Sequence, residues 1–466
     1  MEPIVTPEEM AAIDAAAPEP VDELIERAGA AVAREALGLL GGAYGRRVVV
    51  VVGKGNNGAD GRAAARRLER RGVRCAVLAA GEAPASLPPA DLIIDAAYGT
   101  GFRGTYEAPR PRDPATPVLA VDIPSGVDGL TGVASGRPLA ADRTVSFAAL
   151  KPGLLLADGA ALAGDVVVAD IGLDTSRAAA HRVHDADVAG WLPSRARQAH
   201  KWQAAVWIVA GSPGMTGAAR LACGGAQRAG AGYVRLSCPG AATAVDAPVE
   251  VVVHPLPAEG WAQAVAGDLA RFAALAVGPG LGRSAPTTDE VRRLVRSAPV
   301  PTVVDGDGLV ALGDQAAACV AGRAADAGPV VLTPHDGEVR SLVGRGPGAD
   351  RFAEARELAR TTGAVVLLKG PTTLVAEPGG QVLAVDAGDA RLATAGTGDV
   401  LTGVIAALLA VGMAGPEAAA AGALLHARAG DLAWSRGLVA GDLVDHLPAA
   451  LAAVAGGPIA TLHPRR

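Results

Sequence analysis

Glycine-rich loops that end hydrophobic runs hold most of the chemistry-capable residues of this sequence. In the first half three such loops follow one another. They are Gly53-Lys-Gly-Asn56-Asn57-Gly58-Ala59-Asp60-Gly61, Asp95-Ala-Ala-Tyr-Gly99-Thr100-Gly101-Phe102-Arg103-Gly104-Thr105, and Val121-Asp122-Ile-Pro-Ser125-Gly126. Backbone N–H groups at the mouth of a helix suit an anionic phosphate. Adjacent amide and carboxylate oxygens suit a hard cation or a sugar hydroxyl. A carboxylate close to a cation is an acid–base candidate, and Asp122 is the one singled out. One Asp at a strand end is more often a cap than a catalyst, but three polar loops in order are harder to explain as caps. The first loop also fits G-x-G-x-x-G, with Glu82 beyond the next strand. A dinucleotide-binding turn therefore stays open on this motif alone.

The second half offers four further loops: Ala210-Gly-Ser-Pro-Gly-Met-Thr-Gly217-Ala218-Ala219, Val277-Gly-Pro-Gly280-Leu-Gly282, Leu332-Thr-Pro-His335-Asp-Gly-Glu338, and Thr394-Ala-Gly396-Thr-Gly398-Asp399. Gly-Thr-Gly-Asp at a helix start is a nest of N–H groups for charge developing on a phosphoryl group. Asp399 beside it is placed to take a proton from an attacking hydroxyl. Upstream, Lys369-Gly370-Pro371-Thr372-Thr373 reads as a strand turning into a nucleotide loop. A lone Gly-x-Gly-Asp would be a capped helix about as often as a phosphate site; the lysine loop tilts the balance. His335 is weighed as a ligand because Asp-Gly-Glu tightens its loop, whereas His254, His426 and His446 read as structural.

These loops need rigid elements behind them. Helical spacing predicts helices over Pro7–Ala17, Val21–Leu40 and Ala63–Arg71. β-branched runs predict strands over Arg47–Val52, Arg74–Ala79, Asp91–Asp95 and Val118–Asp122. A second series of strands starts at Ala205–Ala210 and continues through Leu275–Val277, Thr302–Asp305, Val330–Thr333, Ala364–Lys369 and Thr373–Ala376. Alternating strands and helices mean parallel α/β sheets, which bind ligands beyond their carboxyl ends. The polar, proline-bearing stretch 193–200 suggests a linker, giving domains of 1–196 and 197–466. With 466 residues, one core is an unlikely organiser. Half the residues are apolar, so a large core is buried, but aromatics reach only 3%, leaving it to Ala, Val and Leu. A net charge of −6 speaks against a nucleic-acid partner. Four cysteines without metal or redox spacing read as free thiols. No apolar run approaches a membrane span and no signal peptide is visible, so a cytoplasmic enzyme is expected.

Taken together, the motifs Asn-Asn-Gly-x-Asp, Asp-x-x-x-Gly-Thr-Gly and Val-Asp-Ile-Pro-Ser-Gly, with the Ile25-Glu-Arg-Ala-Gly29 helix, resemble the NAD(P)H-hydrate epimerase family over about 1–170. The second half, over about 200–450, is similar to the ribokinase-like superfamily and more narrowly to ADP-dependent NAD(P)H-hydrate dehydratases. The narrowing rests on Thr-Pro-His335-x-Gly-Glu338, Asp305-Gly-Asp307, the Ala-Gly-Ser…Gly-Ala-Ala opening and Lys-Gly-x-x-Thr. The resemblance implies an α/β protein of two domains: a Rossmann-like three-layer α/β/α sandwich and a ribokinase-like domain. It implies that Asn56, Asn57, Gly58, Ala59, Asp60 and Asp122 hold hydrated NADH or NADPH, with Gly99 to Thr105 lining the site. Potassium would be held by Asn57, Asp95 and Ser125. In the second half it implies that Ala218, Gly280, His335 and Asp399 contact the hydrated dinucleotide. Lys369, Gly370, Pro371, Thr372, Thr373 and Gly398 would contact ADP or AMP. Magnesium is expected to arrive with the nucleotide, and self-association into a homo-oligomer is expected from the family alone.

The sequence departs from the family pattern at Ala59 and Trp202, where glycine is usual, and in the Ala204-Ala205 stretch, which lacks a loop glycine. It departs again at Asp386-Ala-Gly-Asp389, where an asparagine–proline turn is common. Ala59 is expected to crowd its turn. The rival reading is a small-molecule kinase of the same superfamily, joined to a non-catalytic N-terminal binding or scaffold domain.

Overall fold

The computed structural model describes residues 1–241 and 246–456. Its contacts divide the chain into two compact units, Glu2–His181 and Arg182 onward, with Met1 grouped with the second. In the first unit, six strands form one parallel sheet: β1 (Arg47–Val52), β2 (Arg74–Ala79), β3 (Leu92–Ala96), β4 (Val118–Val121), β5 (Arg143–Phe147) and β6 (Asp165–Ala169). Their order is β2-β1-β3-β4-β5-β6. The valine run explains why β1 lies inside the sheet rather than at its edge. Val48, Val50 and Val52 join a core with Val32, Ala36, Ala64 and Leu68 of the flanking helices. Val49 and Val51 face the other way, toward Leu87, Ile93 and Ala120. A strand buried on both faces has no solvent side to mark with polar residues.

The helix after β1 runs Asn56–Glu69 and starts seven residues before the predicted Ala63. Asn-Asn-Gly-Ala-Asp-Gly reads locally as a turn, yet it forms the first turns of this helix. Its glycines serve close approach: a Cβ on Gly58 would lie 2.1 Å from the Gly53 carbonyl oxygen, and one on Gly61 2.5 Å from the Ala96 Cβ. The helix lies flat on the sheet because those side chains are missing. Ala59 is half-buried inside the helix rather than crowding a turn, where alanine is a good helix former.

In the second unit nine strands run in the order β15-β14-β13-β12-β11-β10-β7-β8-β9. They are β7 (Ala205–Val209), β8 (Tyr233–Ser237), β9 (Val252–Val253), β10 (Ala274–Val277), β11 (Thr302–Val304), β12 (Val330–Leu332), β13 (Val365–Leu368), β14 (Thr373–Ala376) and β15 (Val382–Val385). The strands from β13 through β9 in that order pair in parallel, while β13–β14 and β14–β15 pair antiparallel. Lys369–Thr372 is thus the connection of an antiparallel pair. Helices Thr397–Ala410 and Gly415–Leu432 are apolar nearly all round and buried, an Ala- and Leu-built core in place of aromatics.

The division between units falls at His181/Arg182, fifteen residues before the expected 196/197 boundary. The short helix Asp185–Trp191 belongs with the second unit. Val188 is buried in that core, and the Asp185 carboxylate accepts hydrogen bonds from Arg428 at 3.0 and 2.9 Å. Among the described residues no helix is long and apolar enough to cross a membrane. All four cysteines are free, three of them buried.

Candidate active sites

In the first unit the carboxyl ends of β1, β3 and β4 open into a cavity of about 810 Å³. It is lined by Asn56, Asn57 and Asp60, by Gly99 to Arg103, and by Asp122. All three loops singled out in the sequence therefore meet. Gly58 lies buried under the helix start; Ala59, Gly104 and Thr105 are not among the lining residues. The second loop is stiffened by Tyr98, Phe102 and Tyr106, whose rings stack at 4.2 and 5.1 Å from Tyr98. Met10, Asp14, Leu24 and Ile25 of the first two helices also line the cavity; of these only Ile25 belonged to a motif noted in the sequence, and none was expected at the site.

Asp122 follows β4 with φ +67, unusual for a residue with a side chain. The Ile123 amide donates to the Val121 carbonyl at 2.8 Å, so Asp122 is the centre of a γ-turn. Its Oδ1 pairs with the Lys151 Nζ at 3.0 Å, and its Oδ2 accepts from the Thr100 amide at 3.3 Å. Lys151 is buried and went unmarked in the sequence, where a lone lysine before proline looks like surface. Burial, then the charges of Asp122 and Asp14, push the Asp60 carboxyl up to about 8. Asp60 therefore carries a proton at neutral pH and can donate it.

Beneath the cavity lies the third element of the expected cation site. Asp95 is fully buried; its Oδ1 accepts from the Ser125 hydroxyl at 2.7 Å and its Oδ2 from the Ser125 amide at 3.0 Å. Burial raises its carboxyl above the ordinary range, only partly offset by those bonds. Both polar atoms of the Asn57 side chain are buried without a hydrogen-bond partner. Gly99 lies between Asn57 and Asp122, since a Cβ there would sit 3.0 Å from the Asp122 Oδ2 and 3.5 Å from the Asn57 Cβ. An orphaned amide oxygen and a buried carboxylate without a counter-charge fit a desolvated monovalent cation.

In the second unit the polar residues converge at the carboxyl ends of β11, β12 and β13. Lys369 Nζ donates to Asp305 Oδ1 at 2.6 Å, and the Thr402 hydroxyl to Asp305 Oδ2 at 2.7 Å. Burial opposes ionisation of Asp305, yet Lys369, Thr402 and Thr333 hold its carboxyl below the usual range. Asp399 lies in the first turn of Thr397–Ala410 with no such partner. Burial and then the charge of Asp305 push it up to about 6, with Lys369 pulling the other way. Gly398 places backbone against the lysine: a Cβ there would lie 3.3 Å from Nζ. Gly280, at φ +63, brings its loop to within contact of Ala218, joining the first two loops. Among the described residues no three His, Cys, Asp or Glu side chains form a group that could hold a metal ion.

A family model for NAD(P)H-hydrate dehydratase matches residues 206–452, and a model for the YjeF-related protein N-terminus matches 21–86 and 79–153. A bifunctional NAD(P)H-hydrate repair enzyme Nnr of Moorella thermoacetica is 38% identical, with 86% of this chain and 87% of that protein aligned. The protein of the same description from Mycobacterium tuberculosis (strain H37Rv) is 40% identical over 84% of each chain. The chain belongs to the bifunctional NAD(P)H-hydrate repair enzyme family. Among solved structures, the Bacillus subtilis ADP/ATP-dependent NAD(P)H-hydrate dehydratase, co-crystallised with ATP and Mg2+, superposes with a TM-score of 0.51. It is 28% identical and covers 58% of this chain and 97% of its own. The relatives join both halves in one chain, so the small-molecule-kinase reading with a scaffold domain finds no support.

Within this repair-enzyme frame several residues acquire roles the sequence did not show. His335 caps the helix Asp336–Val343: its Nδ1 accepts from the Gly337 and Glu338 amides at 2.9 and 3.3 Å. Nδ1 is thus an acceptor, and Nε2 lies 3.5 Å from the Glu338 Oε1, so a ligand would share that nitrogen with the carboxylate. Buried His426 bonds the Thr397 carbonyl at 2.9 Å and so holds the Gly-Thr-Gly-Asp loop from behind; burial lowers it to about 4. Trp202 stacks on Tyr233 at 4.6 Å with the Arg271 guanidinium 4.7 Å over its ring. Asp389 caps a short turn by accepting from the Arg391 amide at 2.8 Å. These two departures have structural duties of their own.

Proposed function

We propose that the chain carries two active sites that together return hydrated NAD(P)H to use. The unit Glu2–His181 interconverts the R and S epimers at C6 of the hydrated nicotinamide ring. The unit from Arg182 dehydrates the S epimer with ADP, giving AMP and phosphate. The observation that supports this most is Asp399, an unpaired carboxyl at a helix start, beside an ion pair that already occupies the neighbouring Asp305 and Lys369.

The chemistry follows from that arrangement. Asp399 accepts the proton of the C6 hydroxyl, and the oxygen attacks the β-phosphorus of ADP. The bond to AMP breaks, and its oxygen keeps the electron pair. Helix-start amides around Gly398 stabilise the charge on the transferred phosphoryl group. The ring nitrogen then expels phosphate from C6, and a proton leaves C5. A hydroxyl that leaves poorly has become a phosphate that leaves well. In this reading Ala218, Gly280, His335 and Asp399 contact the hydrated dinucleotide. Lys369, Gly370, Pro371, Thr372, Thr373 and Gly398 contact the adenine nucleotide, which brings Mg2+.

In the first unit, Asn56, Asn57, Asp60, Gly99 to Arg103 and Asp122 hold the hydrate, and Asn57, Asp95 and Ser125 hold K+. The ion would supply positive potential beside the ring, while protonated Asp60 and the carboxylate of Asp122 manage protons at the C6 oxygen. The K+ assignment is checked without turnover: adding KCl in place of N-methylglucamine chloride should raise the melting temperature of the native chain but not of Asn57→Ala. We place the enzyme in the cytoplasm, where free thiols persist, and expect a homo-oligomer, measured by light scattering.

The deciding experiment follows 340-nm absorbance from an equal mixture of the two NADPH-hydrate epimers with ADP and K+. Full recovery supports both sites. Recovery of half leaves the dehydratase and removes the epimerase. A phosphorylated product that accumulates without absorbance would overturn the dehydratase.

A further inference from the structure

We infer that Lys151 is a positioning residue for epimerisation: it fixes the Asp122 carboxylate against the substrate cavity without touching substrate itself. This rests on the epimerase reading of the first unit. The geometry is a cage. The ammonium lies 3.0 Å from Asp122 Oδ1, 2.9 Å from the Phe147 carbonyl, 3.1 Å from the Ala149 carbonyl and 3.1 Å from the Ser146 hydroxyl. Three N–H bonds thus meet four acceptors, and the side chain is 1% exposed. No hydrogen is left for a ligand.

The two carbonyls converge because of a second γ-turn. Ala148, between them, has φ +62, and the Ala149 amide donates to the Phe147 carbonyl at 2.7 Å. Asp122 occupies the matching turn after β4, its amide donating to the Val145 carbonyl of β5 at 2.7 Å. Lys151 therefore ties together two turns at the ends of neighbouring strands, each built on a residue that ordinarily avoids positive φ. Left-handed backbone at residues with side chains costs on the order of 1–3 kcal/mol and persists where surroundings over-determine it. Here it aims one carboxylate. Asp122 keeps 15% of its side chain exposed, and both residues border the cavity. Asp14 and Asp60 add carboxyl groups to the same cavity and Arg103 lies at its lining, so Lys151 is a buried cation among three acids.

The test uses the full chain, whose dehydratase site reports on the S epimer formed from pure R epimer. Lys151→Met is expected to lower the epimerisation kcat by about 100-fold with KM within about threefold, while dehydration of S epimer is unchanged. Because Lys151 acts through Asp122, the same substitution in an Asp122→Asn background should change kcat by less than about threefold. Removing the lysine takes a donor from four acceptors, so Lys151→Gln, which keeps a donor, is measured alongside; a near-native KM shows that the cavity is formed. A folded variant with native kcat overturns the inference. So does a loss carried by KM, or a loss equally large in the Asp122→Asn background. A native chain that leaves the R epimer untouched overturns the epimerase reading and this inference with it. An active native chain with an equally active Lys151→Met overturns this inference alone.

Discussion

The two sites use the same pair of ingredients in opposite ways. In the first unit the buried lysine holds the candidate acid–base group directly, Lys151 on Asp122 at 3.0 Å. In the second, Lys369 holds a bystander, Asp305, at 2.6 Å, and leaves Asp399 alone. The consequence is electrostatic. Asp305 stays ionised at the centre of the site, and its negative charge joins burial in making Asp399 a better proton acceptor. The carboxylate held by an ammonium is fixed in place by that bond. The one left beside another carboxylate is raised as a base and is fixed by the helix start instead. Site geometry, more than residue type, sets what an aspartate can do.

The sharpest way to break the contrast is to neutralise each acid in turn. Asp399→Asn should cost dehydration about 10²–10⁴-fold and leave epimerisation intact, read as phosphate release from pure S epimer. Equal losses in both reactions would show that the sites are not separate. Next comes Lys369→Met, which strands a buried carboxylate at Asp305. It should destabilise the second unit by about 3–5 kcal/mol, measured by urea unfolding followed through tryptophan fluorescence, since all five tryptophans lie in that unit. Gly61→Ala forces a methyl into the Ala96 side chain and should cost about 1–3 kcal/mol in the first unit. Unchanged stability would mean that the helix can slide off β1. The pH profile sharpens the comparison further. Asp399 must be ionised to accept a proton, so dehydration holds above its value of about 6 and falls as pH drops through it. The fall should approach about tenfold per pH unit. An acid limb that stays flat to pH 5 would remove Asp399 as the base. The smallest effect is Ala59→Gly: about 0.5–1 kcal/mol of helix stability lost, with epimerisation within about twofold.

Much of this was legible beforehand for a physical reason. The valine run of β1 and the polar loops after β1, β3 and β4 depend on local composition, which sequence displays. The helix start at Asn56 did not show, because its glycines answer to the sheet beneath rather than to neighbours in sequence. Lys151 was invisible for the same kind of reason. Nothing in Phe147-Ala-Ala-Leu-Lys151-Pro tells that Ala148 will turn left-handed and point two carbonyls at one ammonium. His335 drew notice as a ligand, while its capping bonds to Gly337 and Glu338 emerged only with the helix in place. The boundary at 181/182 was displaced because Val188 and Asp185, three residues apart, find their partners hundreds of residues later.

The crowding beneath the Asn56–Glu69 helix also bears on how such chains diverge. Gly53, Gly58 and Gly61 each have another atom of the fold within 2.5 Å of where a Cβ would stand. Selection for mere foldability would therefore preserve these glycines even in a descendant that had lost its chemistry. The amides and acids between them are under no such pressure, since Asn57 finds no partner inside the protein. A retired copy of this unit would keep its glycines and drift at Asn57 and Asp60, and those two positions are where a working descendant can be told from a fossil.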